Sequence, residues 1–532
     1  MKKIAILLAI LFAFMLVVTG CSDDSPRATG APVQLSVQLF DRGTDGGRTQ
    51  VDDNAWTDWI KEKVLRDLNI ELSFHVVGRW SENTDIINLM ASGAAPDLCY
   101  TYNGAMVNSF REQGGMTNLM PLLHLLPDAR ILLGDDPAFP GQDFIMRAQT
   151  PEGGLYSIYS SRVALAQRNI FVREDWLNAL GLPVPTTIAQ FEATLLAFRD
   201  RAAELPGNPA NPVTRNNVIP FMQGSDARWG FANLIHPFID VNLSDADRYV
   251  YNVGRNIFYP GYKEGARWVN RMYNQGLIFR DFPLVEGEDG NNTIKSGIAG
   301  AYSGNWDHPF RGDMNIIADM RLNVPGANFI PIDAIQSSNG ITNKDMMDKT
   351  GLQVFVPAFS RNAEAALRYL NWLCIPENYQ FIQRGNVGVN HEIVNGVPAL
   401  MTRPPNDPWM QNSTQNIDFT MLQNGIEMGD PVLNARVLAL SYGGFTSDVI
   451  EHAYAVSTAN ARAPVVVNVP TTQDGIYGQT VITMADDLLA QAITARPEDF
   501  DRIWDQGIQN ILRSGAQEIM DERRAIANQF FR

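Results

Sequence analysis

Arg79 and Trp80 place a guanidinium beside an aromatic ring, and Thr101, Tyr102 and Asn103 set a phenol between a hydroxyl and an amide. Trp229 stands in Gly224-Ser225-Asp226-Ala227-Arg228-Trp229-Gly230, a turn-rich stretch where an aromatic is hard to explain as core. Such pairings suit a ligand with an apolar face and a hydrogen-bonding rim. The ring covers the C–H face while Asn, Asp, Gln or Arg pairs with the rim, and a guanidinium adds recognition of a carboxylate. A sugar has that shape.

Covalent and metal chemistry finds less support. His75, His124, His236, His308, His391 and His452 are dispersed, and His391-Glu392 is followed by Ile393-Val394-Asn395, which breaks the zinc-protease pattern. There is no Gly-x-Ser-x-Gly elbow and no phosphate-binding glycine loop. A glycoside hydrolase needs only two carboxylates about 5 to 10 Å apart. With 58 acidic residues available, that alternative stays open. No metal or other cofactor is expected.

The elements that must carry these residues are legible as alternation and helical spacing. Leu35, Val37 and Leu39 alternate as a strand; Asn54 can cap a helix bearing Trp56, Ile60, Val64, Leu65 and Leu68; Ile70, Leu72, Phe74 and Val76 alternate again. A short helix over 84–90 stops at Gly93 and Pro96, and Leu98 to Tyr102 makes a third strand. This β-α-β-α-β opening predicts an α/β fold with a parallel, doubly wound sheet. Ligands bind such sheets beyond the carboxyl ends of the strands, here the loops after Phe40, Val76 and Leu98. Further helices are expected from Thr187, with Gln190 at capping-box spacing, from Ser360, and from Pro497.

Of the 532 residues 45% are hydrophobic and 19% charged, as in a soluble globular chain of two or more domains. Forty-two basic residues against 58 acidic ones give a net charge of −16, with no Lys/Arg block. Nucleic acid is therefore excluded as a partner. Three cysteines, Cys21, Cys99 and Cys374, are too few for a disulfide scaffold. Cys99 and Cys374 are expected as buried free thiols.

Lys2 and Lys3 precede an apolar run from Ile4 to Val18, roughly 15 residues and short of the roughly 20 that span a bilayer. It closes in Val18-Thr19-Gly20-Cys21, which resembles the lipobox of bacterial lipoproteins. That resemblance implies a signal peptide over 1–20, lipid on Cys21, and a polar tether over 21–32. Without Lys2 and Lys3 the net charge becomes −18, which favours a neutral or weakly acidic ligand over a polyanion.

Five segments in order extend the likeness. They are Leu89-Met90-Ala91-Ser92-Gly93-Ala94-Ala95-Pro96-Asp97-Leu98, Gly154-Leu155-Tyr156-Ser157-Ile158, Phe171-Val172-Arg173-Glu174-Asp175-Trp176-Leu177, Gly300-Ala301-Tyr302-Ser303-Gly304-Asn305-Trp306, and Gly385-Asn386-Val387-Gly388-Val389-Asn390-His391. Together they resemble family 1 of the extracellular solute-binding proteins, the maltose-binding type that serves ABC importers. The resemblance implies two α/β lobes, each a doubly wound sheet flanked by helices, joined by hinge strands and closing on ligand. The first lobe would be 33–157 with 353–385, the second 158–352 with 386–532. It also implies an oligosaccharide ligand, the permease subunits of an importer as partners, a monomer, no catalysis, and a lipid anchor on the extracytoplasmic face of the cell membrane. A carbohydrate sensor with the same cleft is the other alternative. Ser161 and Arg162 would follow the first hinge, and Asn305, Trp306 and Asp307 would end a strand at the cleft. Some large members carry a calcium loop after the helix matching 191–203. Here Pro206 to Asn217 contains no carboxylate, which argues against an ion.

Overall fold

Alternation at Leu35, Val37 and Leu39 produces a strand, β1 (Val33–Asp41), in the computed structural model. The model describes residues 30–42, 50–134, 144–224, 226–285, 288–311, 314–333, 335–336, 343–401, 407–409, 413–428, 430–442, 444–467, 469 and 471–531. The apolar run, Cys21 and most of the tether lie outside the described residues. Strand β2 (Ile70–Gly78) pairs with β1 in parallel, Val33 opposite Ile70 through Asp41 opposite Gly78. Between them the helix Ala55–Leu68 opens on Asn54, whose side chain accepts from the Trp56 and Thr57 N–H groups while Thr57 accepts from the Asn54 N–H. It ends on Asn69 at φ 55°, the left-handed conformation that asparagine tolerates.

The helix Glu82–Ser92 leads to β3 (Cys99–Thr101), tied to β1 by a parallel bridge between Val37 and Leu98. Downstream run β4 (Ile158–Arg162), β5 (Arg168–Arg173), β6 (Ile219–Met222), β7 (Ala299–Asn305), β8 (Phe329–Ile332), β9 (Thr350–Phe355), β10 (His391–Val394), β11 (Val397–Leu400) and β12 (Gln423–Asn424). The sheets are ordered β12-β4-β9-β3 and β6-β7-β5-β8, with β10-β11 a separate hairpin. The pairing is mixed. β9 runs antiparallel to both β3 and β4, and β5 runs antiparallel to β7 and β8, while β6 and β7 are parallel. Strands β4 and β9 thus lie side by side where the chain leaves and re-enters the first sheet.

Apolar burial organises the chain around two bodies. Leu35, Phe40, Val64, Leu98, Ile158, Val354 and Leu370 share one core, which also takes in Phe419, Met421 and Leu422. Ile170, Trp176, Phe198, Phe221, Trp268 and Trp504 share another, flanked by a smaller cluster around Tyr302, Phe310 and Ile450. The helix Thr472–Thr494 touches both bodies. Its start packs so tightly on the helix Gly104–Glu112 that a Cβ at Gly475 would lie 3.1 Å from the Asn108 carbonyl, while Val481, Ala485 and Leu489 enter the second core.

Two local expectations need adjustment. The helix Ala363–Leu373 is capped at Asn362, not Ser360; the Ser360 hydroxyl instead donates to Asp97 and accepts from the Asn362 N–H. The C-terminal helix Phe500–Ile511 follows a single 3-10 turn over Pro497–Asp499. Cys99 and Cys374 are both free and buried, and burial pushes both thiols up, so neither is poised as a nucleophile.

Candidate functional site

The carboxyl ends of β1, β2, β3 and β4 open onto a cleft of about 970 Å³ between the two bodies. That is the upper end of the roughly 300–1,000 Å³ typical of ligand sites. Arg79, Trp80, Tyr102, Asn103 and Arg162 line it from the first body, and Trp229, Asn305, Trp306 and Asp307 from the second. Thr101 and Ser161 do not line it. Thr101 is fully buried and its hydroxyl accepts from the Asn103 N–H at 3.0 Å. The Ser161 backbone pairs with β12 and β9. Each precedes a residue that does face the cleft, and successive side chains on a strand point to opposite faces.

The first wall is built on an aromatic stack. Tyr102 lies parallel to Phe40 with centroids 6.2 Å apart, and the Arg79 guanidinium sits 4.5 Å from the Tyr102 ring and 5.3 Å from those of Phe40 and Trp80. Trp80 is 62% exposed, an aromatic surface that solvent does not favour. Arg162 approaches Tyr102 at 6.0 Å. Behind them Arg42 forms a two-pronged ion pair with Asp418, one contact of 2.9 Å. Burial disfavours the Arg42 charge, yet Asp418 more than restores it, and the pKa ends above its ordinary value. Glu82 faces Arg79 at 3.5 Å, and burial raises its pKa against the pull of that arginine.

Asn103 caps the helix Gly104–Glu112 by accepting from the Met106 N–H, and its amide donates to Asn83 and to Gln479 on the long bridging helix. It therefore shapes the floor of the cleft and ties the two bodies together.

The second wall rests on the end of β7. Trp306 is only 4% exposed and packs edge-to-face on Tyr454 at 5.1 Å, so most of its surface is core. Asp307 pairs with Arg311 at 3.0 Å and accepts from Tyr442, which occupies one of its oxygens. Trp229 is half-buried, with the Arg168 guanidinium 4.2 Å from its ring. Burial lowers the pKa of Arg168 to about 10. His308 contacts the Tyr302 hydroxyl at 3.3 Å, and burial, with Arg311 adding to it, lowers its pKa to about 4.

Sequence reasoning missed Arg42, Glu82, Arg255, Arg311 and Asp418. Arg42 lies in the loop after Phe40, beyond the carboxyl end of β1, so the strand-end rule pointed to it. Asp418 is 376 residues away from its partner and had no local signal. Arg255 sits between Gly254 and Asn256, all three at positive φ (55°, 54° and 73°), an uncommon conformation for arginine. Among the described residues no cluster of His, Cys, Asp and Glu could hold a metal ion.

No family model matches the chain. Over 266 residues it is 23% identical to Lipoprotein LipO of Bacillus subtilis (strain 168), covering 48% of this chain and 49% of that protein. Over 156 residues it is 23% identical to the polygalacturonan/rhamnogalacturonan-binding protein YtcQ of the same organism, covering 29% of this chain and 30% of that one. The chain thus spans about half or less of the length of these curated relatives. The solved structure of the alginate-binding protein AlgQ2 without calcium ion superposes over 94% of this chain and 99% of its own, with a TM-score of 0.66 at 18% identity. The chain has the two-lobed α/β fold of the extracellular solute-binding proteins.

Proposed function

We propose that this chain is a lipid-anchored, extracytoplasmic binding protein that captures an oligosaccharide between its lobes and presents it, unaltered, to the transmembrane subunits of an ABC importer. The observation that carries the reading is the cleft itself, with an exposed Trp80 and a half-buried Trp229 on opposite walls and arginine and amide groups between them. The names of YtcQ, a polygalacturonan/rhamnogalacturonan-binding protein, and of AlgQ2, an alginate-binding one, support it. The name of LipO supports the anchor at Cys21, and no helix among the described residues is long and apolar enough to cross a membrane. We place the first lobe at 33–162 with 348–385 and 413–424, since β4 and β9 belong to its sheet and Phe419 to Leu422 enter its core, and the second at 163–347 with the rest of 386–532. The protein acts as a monomer.

Binding without catalysis is favoured by how the cleft carboxylates are engaged. Asp418 is held by Arg42, Glu82 by Arg79, Asp307 by Arg311 and Asp348 by Arg147, while Asp226 accepts from the Trp229 N–H and Glu288 from the Asn291 amide. A glycosidase needs one carboxylate free to attack or to activate water and another free to deliver a proton. Calorimetric titration of the full-length protein in detergent against a glycan panel, with chromatography of each sugar afterwards, tests the reading. Saturable binding and intact sugar are expected. Turnover, or no binding to any glycan, would overturn it.

A further inference from the structure

Formal charge is unevenly divided across the cleft. On the first wall Arg42, Arg79 and Arg162 meet Asp418 and Glu82, while Asp348 is taken by Arg147 from outside the cleft through contacts of 3.2 and 3.1 Å. Three arginines face two available carboxylates. On the second wall the residues that touch the cleft are Arg255 and Arg311 with Asp226, Asp307 and Glu288, an excess of one carboxylate at the surface, with Arg168 buried behind Trp229.

The unmatched cation on the first wall is Arg162. Arg42 and Arg79 each have a carboxylate partner, whereas no carboxylate pairs with Arg162 among the described residues, and its buried Nε has no hydrogen-bond partner. Arg79 Nε is likewise without one. Buried donors left unmade are costly, and a guanidinium recovers most from a carboxylate that it can meet with two N–H groups. On the second wall the buried atoms without hydrogen bonds include Asp307 Oδ1, Gln223 Oε1 and Ser303 Oγ, which can all accept from sugar hydroxyls. A second ligand carboxylate there would meet the local excess of negative charge.

We infer that the ligand is a weakly acidic oligosaccharide carrying one carboxylate, bound with that group on Arg162 beside Tyr102 and its neutral rings toward the second wall. This rests on the oligosaccharide-binding reading and narrows it. A neutral sugar leaves Arg162 unanswered, and a polyuronate sets like charges against Asp307 and Glu288.

The test uses full-length protein and four trisaccharide series, of gluco, galacto, manno and xylo configuration, each as a neutral, a single-uronate and a fully uronic member. Within any series that binds, the single-uronate member is expected to bind tightest, about ten- to hundred-fold over the neutral one. Arg162→Gln should bring the two within a few-fold of each other, and Arg162→Lys should restore part of the preference, because charge survives while the fork is lost. Arg111→Gln, on the helix Gly104–Glu112 and outside the cleft lining, should change nothing. Raising the salt concentration should shrink the wild-type preference, a readout that does not depend on any variant folding. Equal binding of neutral and single-uronate members, or tightest binding of the fully uronic one, overturns the inference and leaves the proposed function standing. Failure of every series and of the wider glycan panel removes both.

Discussion

The two walls of the cleft handle polar groups differently. On the first, arginines are stacked on aromatic rings, and one of them, Arg162, has no carboxylate partner among the described residues. On the second, Asp307 is held by Arg311 and Tyr442, and Trp229 is backed by Arg168. The first wall keeps donor capacity in reserve for an anion at Arg79 and Arg162, whereas the second offers an aromatic face and open acceptors at Gln223, Ser303 and Asp307. Buried groups left partly unmatched cost stability, so their persistence in a cleft marks where a ligand completes the structure.

The largest effect that separates the walls should come from the ion pair behind the first. Arg42→Met leaves Asp418, whose side chain is 1% exposed, as an uncompensated buried charge. A loss of about 3 to 5 kcal/mol in unfolding free energy is expected by chemical denaturation. If Arg42→Met melts like the wild type, that wall is not braced by the pair.

Acid should act on the other lobe. His236 is 5% exposed, and burial lowers its pKa to about 4 from an ordinary 6.5. The unfolded chain then binds more protons than the folded one, so stability is full above about pH 6.5 and falls as pH drops toward 4. The loss amounts to about 3 kcal/mol for His236, with His308 shifted in the same direction. In the first lobe Asp97, although burial opposes it, is held below its ordinary range by hydrogen bonds from Ser36 and Ser360, so its contribution is lost only at still lower pH. Hydrogen exchange between pH 7 and 5 should show protection falling around His236 before it falls around β1. Uniform loss would contradict the contrast.

A smaller effect sharpens the role of the exposed ring. Trp80→Ala removes a side chain that is mostly in solvent, so melting should hardly change, while glycan affinity should drop by about 1 kcal/mol, roughly five-fold. Unchanged affinity would confine recognition to Arg162 and the second wall.

Much of the scaffold was legible because its signals are local. The Asn54 cap, the Thr187–Gln190 capping box and the alternation in β1 and β2 each depend on residues within a few positions of one another. The antiparallel return of β9 was not legible, since it depends on a partner about 190 to 250 residues away, a separation on which local periodicity is silent. The site shows the same division. Arg79, Trp80, Tyr102 and Arg162 follow strand ends and meet in the cleft, whereas Thr101 and Ser161 stay behind it through strand alternation. The charge balance that singles out Arg162 depends on Asp418 and on Arg147 engaging Asp348, and only the folded chain brings those groups together.

The most direct test of capture between the walls is a crystal structure with the tightest-binding glycan of the panel. The account predicts one sugar chain touching both walls at once, a ring against Trp80 or Trp229 and polar contacts to Arg162 and to the Asn305–Asp307 edge. A sugar bound outside the cleft, or held by one wall with the other turned away from it in a closed form, would contradict it.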